Sequence, residues 1–218
     1  MRDGLPVAYY ARRVVAGLGI ALASTAFAQA AAQPALAALN RAAGVSYRFA
    51  WGTLGDAARL RSLIGRQLKV DSQHIHAYVL GEHGDSEVAA FSTVQIGGQP
   101  LAEFVCETLL DLQDLAAGVR DAAYRIVEGK GYTSFGIATA IVRICEAVVR
   151  DEHAVLPVST WLDKGFGATD ICLSLPCLIG AAGIERVLFP KLNSEEQSAL
   201  LASAVKLTAE LQKLDSQG

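Results

Sequence analysis

The chain has 218 residues, enough for one hydrophobic core or for one domain with an appendage. Hydrophobic residues make up 52 % and charged residues 19 %, which excludes a disordered chain. The formal net charge of −3, with no stripe of Lys and Arg, excludes nucleic acid as a main partner, and no apolar run reaches the ~20 residues needed to span a membrane.

Residues 1–50 hold 16 alanines, and no Asp or Glu falls between Asp3 and Asp56, after which charges are frequent and mixed. This break divides the chain into an Ala-rich segment, 1–45, and a domain over 46–218. The first segment admits three readings. Arg12 and Arg13 before an apolar stretch over 14–23, followed by Ala26-Phe27-Ala28, match the regions of a secretory signal peptide. Alternatively, Val14-Val15-Ala16-Gly17-Leu18-Gly19 is a decayed strand and glycine loop. Leu22 then stands where a dinucleotide fingerprint wants its third glycine, and no acid follows to hold a ribose. In the third reading the segment belongs to no working fold.

The second segment alternates helices and strands. Ala57, Leu60, Leu63, Ile64 and Leu68 recur at helical spacing and predict an amphipathic helix over 56–68. A β-rich run over 75–80 ends at Gly81, and a polar loop follows over 82–87. Residues 94–96 with Gly97-Gly98 read as a strand and turn. Residues 103–129 are helical with a break near Gly118. Residues 133–150 form a long apolar helix with protein expected on both faces. Strands follow over 155–162 and 171–178. Asn193-Ser194-Glu195-Glu196 opens the last helix with a cap residue and a Glu three positions on. Cys106, Cys145, Cys172 and Cys177 contain no Cys-x-x-Cys pair and have no histidine at ligand spacing, so reduced, mostly buried thiols and no metal site are expected.

Two places carry chemistry. Asp56 and Arg59 lie three apart at a helix start and share a face, as an ordinary ion pair or as part of a site. His83 stands in Gly81-Glu82-His83-Gly84-Asp85-Ser86-Glu87, where glycines on both sides give an open turn able to present an imidazole to a ligand.

Taken together these motifs resemble the L-lactate dehydrogenases of bacteria. The resemblance rests on Gly52-Thr53, on Asp56-Ala57-Ala58-Arg59-Leu60-Arg61, and on the run from His76 to Glu87. It continues in order through Lys130-Gly131-Tyr132-Thr133-Ser134-Phe135-Gly136-Ile137 and Val155-Leu156-Pro157-Val158-Ser159. It covers about 52–214, the substrate-binding half of that family. Gly-Glu-His-Gly-Asp-Ser is closer to lactate than to malate dehydrogenases, which usually lack the Glu and have Thr for the Ser.

The resemblance implies an α+β fold of antiparallel sheets packed with long helices, without a complete Rossmann domain. It implies NAD as cofactor and pyruvate or L-lactate as substrate. His83 would be the acid–base group, Asp56 would hold its ring, and Arg59 would clamp the substrate carboxylate through two parallel hydrogen bonds. Thr133 would line the substrate pocket and Ile137 would pack near the nicotinamide. Arg61 and His76 match positions that bind fructose-1,6-bisphosphate in activated members, across a homo-oligomer interface. A cytoplasmic protein is expected, or an exported one if the signal-like segment is genuine.

The sequence also departs from the family. No cofactor domain is recognisable before Gly52, nor the mobile loop that carries a carbonyl-polarising arginine and selects pyruvate. Trp51 replaces a small residue beside the nicotinamide site, and Gly55 is expected to weaken packing just before Asp56. Holding two reactants in register can supply about 7–11 kcal/mol of a barrier. Little or no dehydrogenase activity is therefore expected of this chain alone. The rival reading is a non-catalytic association module, since the apolar face left open would favour association.

Overall fold

In the computed structural model the described residues are 49–50, 52–105 and 110–216. The Ala-rich segment with its three readings, Trp51 and Cys106 lie outside them.

Helix α1 (Leu54–Leu68) forms where the helical spacing predicts it, two residues earlier than expected. Ala57, Leu60 and Ile64 are fully buried on its inner face. It ends at Lys69, which adopts a left-handed conformation at φ 56°. The run over 75–80 is not one strand but two. β2 (Ile75–His76) pairs with β5 (Gln95–Ile96), and β3 (Val79–Leu80) pairs with β4 (Val88–Ala89). The alternation persists across the change of partner, because Ile75, Ala77 and Val79 all enter one core cluster with α1. Gly97 and Gly98, at φ 58° and 86°, close the two-residue turn from β5 to β6 (Gln99–Pro100).

The helical stretch over 103–129 breaks differently from the expectation. It comprises α2 (Leu101–Phe104), α3 (Leu112–Arg120) and α4 (Ala122–Lys130), with the later break at Asp121. Gly118 lies inside α3. A Cβ there would come within 3.3 Å of Leu63 Cδ1, so this glycine serves the close approach of α3 to α1 rather than a kink.

The principal sheet has the order β1-β7-β8-β9, from β1 (Phe49–Ala50), β7 (Ala154–Gly165), β8 (Ala168–Gly180) and β9 (Gly183–Val187), and all of its pairings are antiparallel. β7 and β8 outrun their predicted apolar cores because polar positions such as Lys164 and Thr169 continue the ladder to the hairpin tip. β8 serves two core clusters along its length. Ile171, Leu173 and Leu175 pack with Leu200, Ala204 and Leu207 of the last helix, α6 (Ser194–Ser216). Further along, Cys177 and Ile179 pack with Ala140, Ile144 and Ala147 of α5 (Phe135–Val149). Cys172 and Cys177 are buried, and burial pushes the Cys177 thiol up to about 12.

Protein does not cover both faces of α5 among the described residues: Val142 is 56 % and Val149 73 % exposed. At α6 the expected capping box is present. Asn193 Oδ1 accepts from Glu196 N at 2.8 Å, and Asn193 N donates back to Glu196 Oε2 at 3.4 Å. The architecture is the expected α+β arrangement. No helix among the described residues is long and apolar enough to cross a membrane.

Candidate active site

Three elements converge on His83. Thr53, just before α1, donates its hydroxyl to Val79 O of β3, which ties the start of the helix to the strand leading into the Gly81–Glu87 loop. Gly81, at φ 90°, exchanges two backbone hydrogen bonds with Ser174 of β8, at 3.0 and 2.9 Å. Asp56 lies on the first turn of α1, facing that loop.

The result is a compact charged cluster. His83 Nδ1 stands 2.7 Å from Asp56 Oδ2, and Arg59 Nη1 stands 3.0 Å from Asp56 Oδ1. Asp56 is 5 % exposed. Burial alone would raise its pKa, but His83 and Arg59 outweigh burial and hold the carboxyl below the usual range. Burial would likewise lower His83, yet the charge and hydrogen bond of Asp56 prevail and raise it, favouring an imidazolium.

Asp56, Arg59, His83, Thr133 and Ile137 line one open cleft of about 470 Å³, within the range of small-molecule sites. The structure therefore brings together five residues that the sequence distributes over three segments. At the rim, Lys130 Nζ lies 4.5 Å from the centre of the Phe135 ring. Gly55 also lines this cleft, and a Cβ there would meet nothing within 4 Å. The expectation of weakened packing at Gly55 is therefore corrected: the missing side chain enlarges the cleft. Gly52 has the opposite role, because at φ 48° a Cβ would fall 2.4 Å from Ser159 N.

Arg61 and His76 are not in this cleft. They line a second cavity of about 400 Å³ with Ser72 and Gln73. Arg61 is two positions beyond Arg59, about 200° further round α1, so the helix separates the two cavities.

Sequence reasoning missed the role of Glu87. Asp56, His83 and Glu87 each offer a ligand atom within 4.8 Å of the others. Burial first, and then the charge of Asp56, push Glu87 up to about 9, with Arg59 and Arg120 opposing. Glu87 thus favours its protonated form beside the Asp56 carboxylate. Its position in the histidine loop was visible in the sequence, but its half-buried place beside Asp56 was not. With Arg59 beside the shared carboxylate, the positive charge of this cluster comes from the chain itself. A second donor group, Asp151, His153 and Glu185, is exposed and comes from the residues flanking β7 and from β9.

A model of the lactate/malate dehydrogenase alpha/beta C-terminal domain matches residues 53–217. The chain is 46 % identical over 160 residues to the L-lactate dehydrogenase of Salinibacter ruber, a match covering 70 % of this chain and 50 % of that one. It is 45 % identical over 158 residues to the L-lactate dehydrogenase of Thermus aquaticus, covering 70 % and 51 %. Among solved structures it is similar to MGS-M5, a lactate dehydrogenase from a Medee basin deep-sea metagenome library. That match has a TM-score of 0.72 and 36 % identity, and covers 77 % of this chain and 55 % of the other. The chain spans about half the length of the curated relatives it matches.

Proposed function

The chain belongs to the lactate/malate dehydrogenase family, and on that premise we propose that it is the substrate half of an NAD-dependent L-lactate dehydrogenase acting on pyruvate and L-lactate. The observation that carries the proposal is the 2.7 Å approach of His83 Nδ1 to Asp56 Oδ2 in a cleft that also holds Arg59. NADH supplies the hydride when it is bound. Ile137 and Ala140 give the cleft an apolar wall suited to the nicotinamide end of that cofactor. All strand pairings among the described residues are antiparallel, so these residues include no parallel β-α-β unit for the rest of it.

The residues divide the work as follows. Asp56 engages Nδ1 of His83 and favours the imidazolium, which leaves Nε2–H to donate a proton to the keto oxygen of pyruvate. In the reverse direction the same nitrogen takes the hydroxyl proton of lactate. Arg59 turns its remaining N–H donors to the substrate carboxylate, a planar fork that lysine lacks. Thr133 bounds the substrate within the cleft. Arg61 and His76 in the second cavity would receive fructose-1,6-bisphosphate, doubled across the interface of a homo-oligomer in the cytoplasm.

Binding of NADH to the purified chain, followed by cofactor fluorescence with and without oxamate, tests the proposal. Saturable binding tightened by oxamate supports it, with fructose-1,6-bisphosphate added next. No binding at millimolar NADH rejects a self-sufficient dehydrogenase. It favours a second reading, an association module, for which the exposed Val142 and Val149 on α5 provide an apolar face.

A further inference from the structure

The loop that presents His83 is held from behind by the last helix. Glu82 is 5 % exposed, and its Oε2 takes Lys206 Nζ of α6 at 2.8 Å, Ser86 N at 3.3 Å, and the Ser86 hydroxyl. Its own N–H donates to Ser203 Oγ, also on α6, at 2.8 Å. The helix lies so close that a Cβ on Gly81 would fall 2.7 Å from Ser203 Oγ. A Cβ on Gly84 would fall 3.2 Å from Glu82 Oε1, which places this carboxylate against the residue that follows His83. A buried carboxylate therefore sits under the Gly81–Gly84 turn, joined to a lysine from the last helix.

We infer that Lys206 acts on His83 through Glu82: from α6 it offsets the charge of that carboxylate beneath the imidazole. The inference rests on the reading of His83 as the acid–base group. The charged groups facing His83 are Asp56 and Arg59 of α1, with Glu82 and Glu87 of its own loop. Arg120 of α3 acts on Glu87, and Asp85 is engaged by the Tyr124 hydroxyl at 2.7 Å. Among these, Glu82 favours the charged imidazole, so its lysine partner restrains that effect. Two effects of Lys206 are separable by sign. If the pair were only a strut, breaking it from either side would loosen the loop, weaken the Asp56 contact and lower the His83 pKa. If Lys206 offsets the charge of Glu82, the two ends of the pair move His83 in opposite directions.

The test is an NMR titration of the ring-labelled chain, with the His83 resonance identified by its loss in H83N. Lys206→Met is expected to raise the His83 pKa by about 0.5 pH units, the order expected of a partly screened charge. Glu82→Gln is expected to lower it, and Lys206→Arg to leave it in place. The Lys206 side chain is 43 % exposed, so the Lys206 variants should fold, and Lys206→Gln reads the same loss of charge with a polar chain. No shift in Lys206→Met, or a shift in the same direction as Glu82→Gln, overturns the inference. The titration needs neither cofactor nor turnover, so a failure to bind NADH counts against the dehydrogenase reading alone.

Discussion

His83 Nδ1 lies 2.7 Å from Asp56 Oδ2, the one from a loop and the other from the first turn of α1. Both groups have shifted pKa values, and the two shifts favour folding at opposite ends of the pH scale. Asp56 is held below its ordinary value, so its contribution is present above the unfolded carboxyl pKa and is lost as pH falls through the folded one. His83 is raised, so its contribution is full below the unfolded imidazole pKa and is lost as pH rises through the folded one. Asp56→Asn should therefore cost most near pH 5.5, where both groups are charged, by roughly 3 kcal/mol. Urea unfolding at pH 5.5 and at pH 8.5 checks this; an equal cost at both would count against the charged pair.

Glu87 should oppose stability at alkaline pH. Its pKa rises to about 9 on folding, so the folded chain holds a proton that the unfolded chain has released. Stability from this group therefore declines as pH climbs from the unfolded carboxyl pKa towards 9. Glu87→Gln keeps the shape of the side chain and removes the titration. It should gain about 1–3 kcal/mol over the native chain near pH 8.5, with little difference at pH 5. Thermal unfolding across that range measures it.

Arg59→Lys retains the charge and loses the planar fork. In the dehydrogenase reading, oxamate should bind at least about tenfold more weakly to this variant in the presence of NADH. Circular dichroism should remain unchanged, because Arg59 is only partly buried at the cleft. Oxamate affinity equal to that of the native chain would remove Arg59 from the carboxylate role. Calorimetry decides between the two.

Asn193→Ala breaks the capping box of α6 and should cost about 1 kcal/mol. Because Glu196 also accepts from Ser92 N at 2.9 Å, Glu196→Ala should cost more than the cap alone. Paired denaturant curves for the two variants test the ranking.

The sequence alone determined the features set by near neighbours along the chain. The helical period of Ala57, Leu60 and Ile64, the Gly97-Gly98 turn, the Asn193 cap and the Asp56–Arg59 pair all depend on contacts within a few residues. The wording of the histidine loop marked His83 as a candidate before any fold was available. Tertiary structure decided the rest. It divided the run over 75–80 between two sheets and gave Gly118 a packing role against α1. It also brought a half-buried Glu87 beside Asp56 and placed Lys206 under Glu82. The physical reason is range: backbone period and capping act over one helical turn, whereas desolvation and ion pairing depend on which distant segments the core brings within about 4 Å.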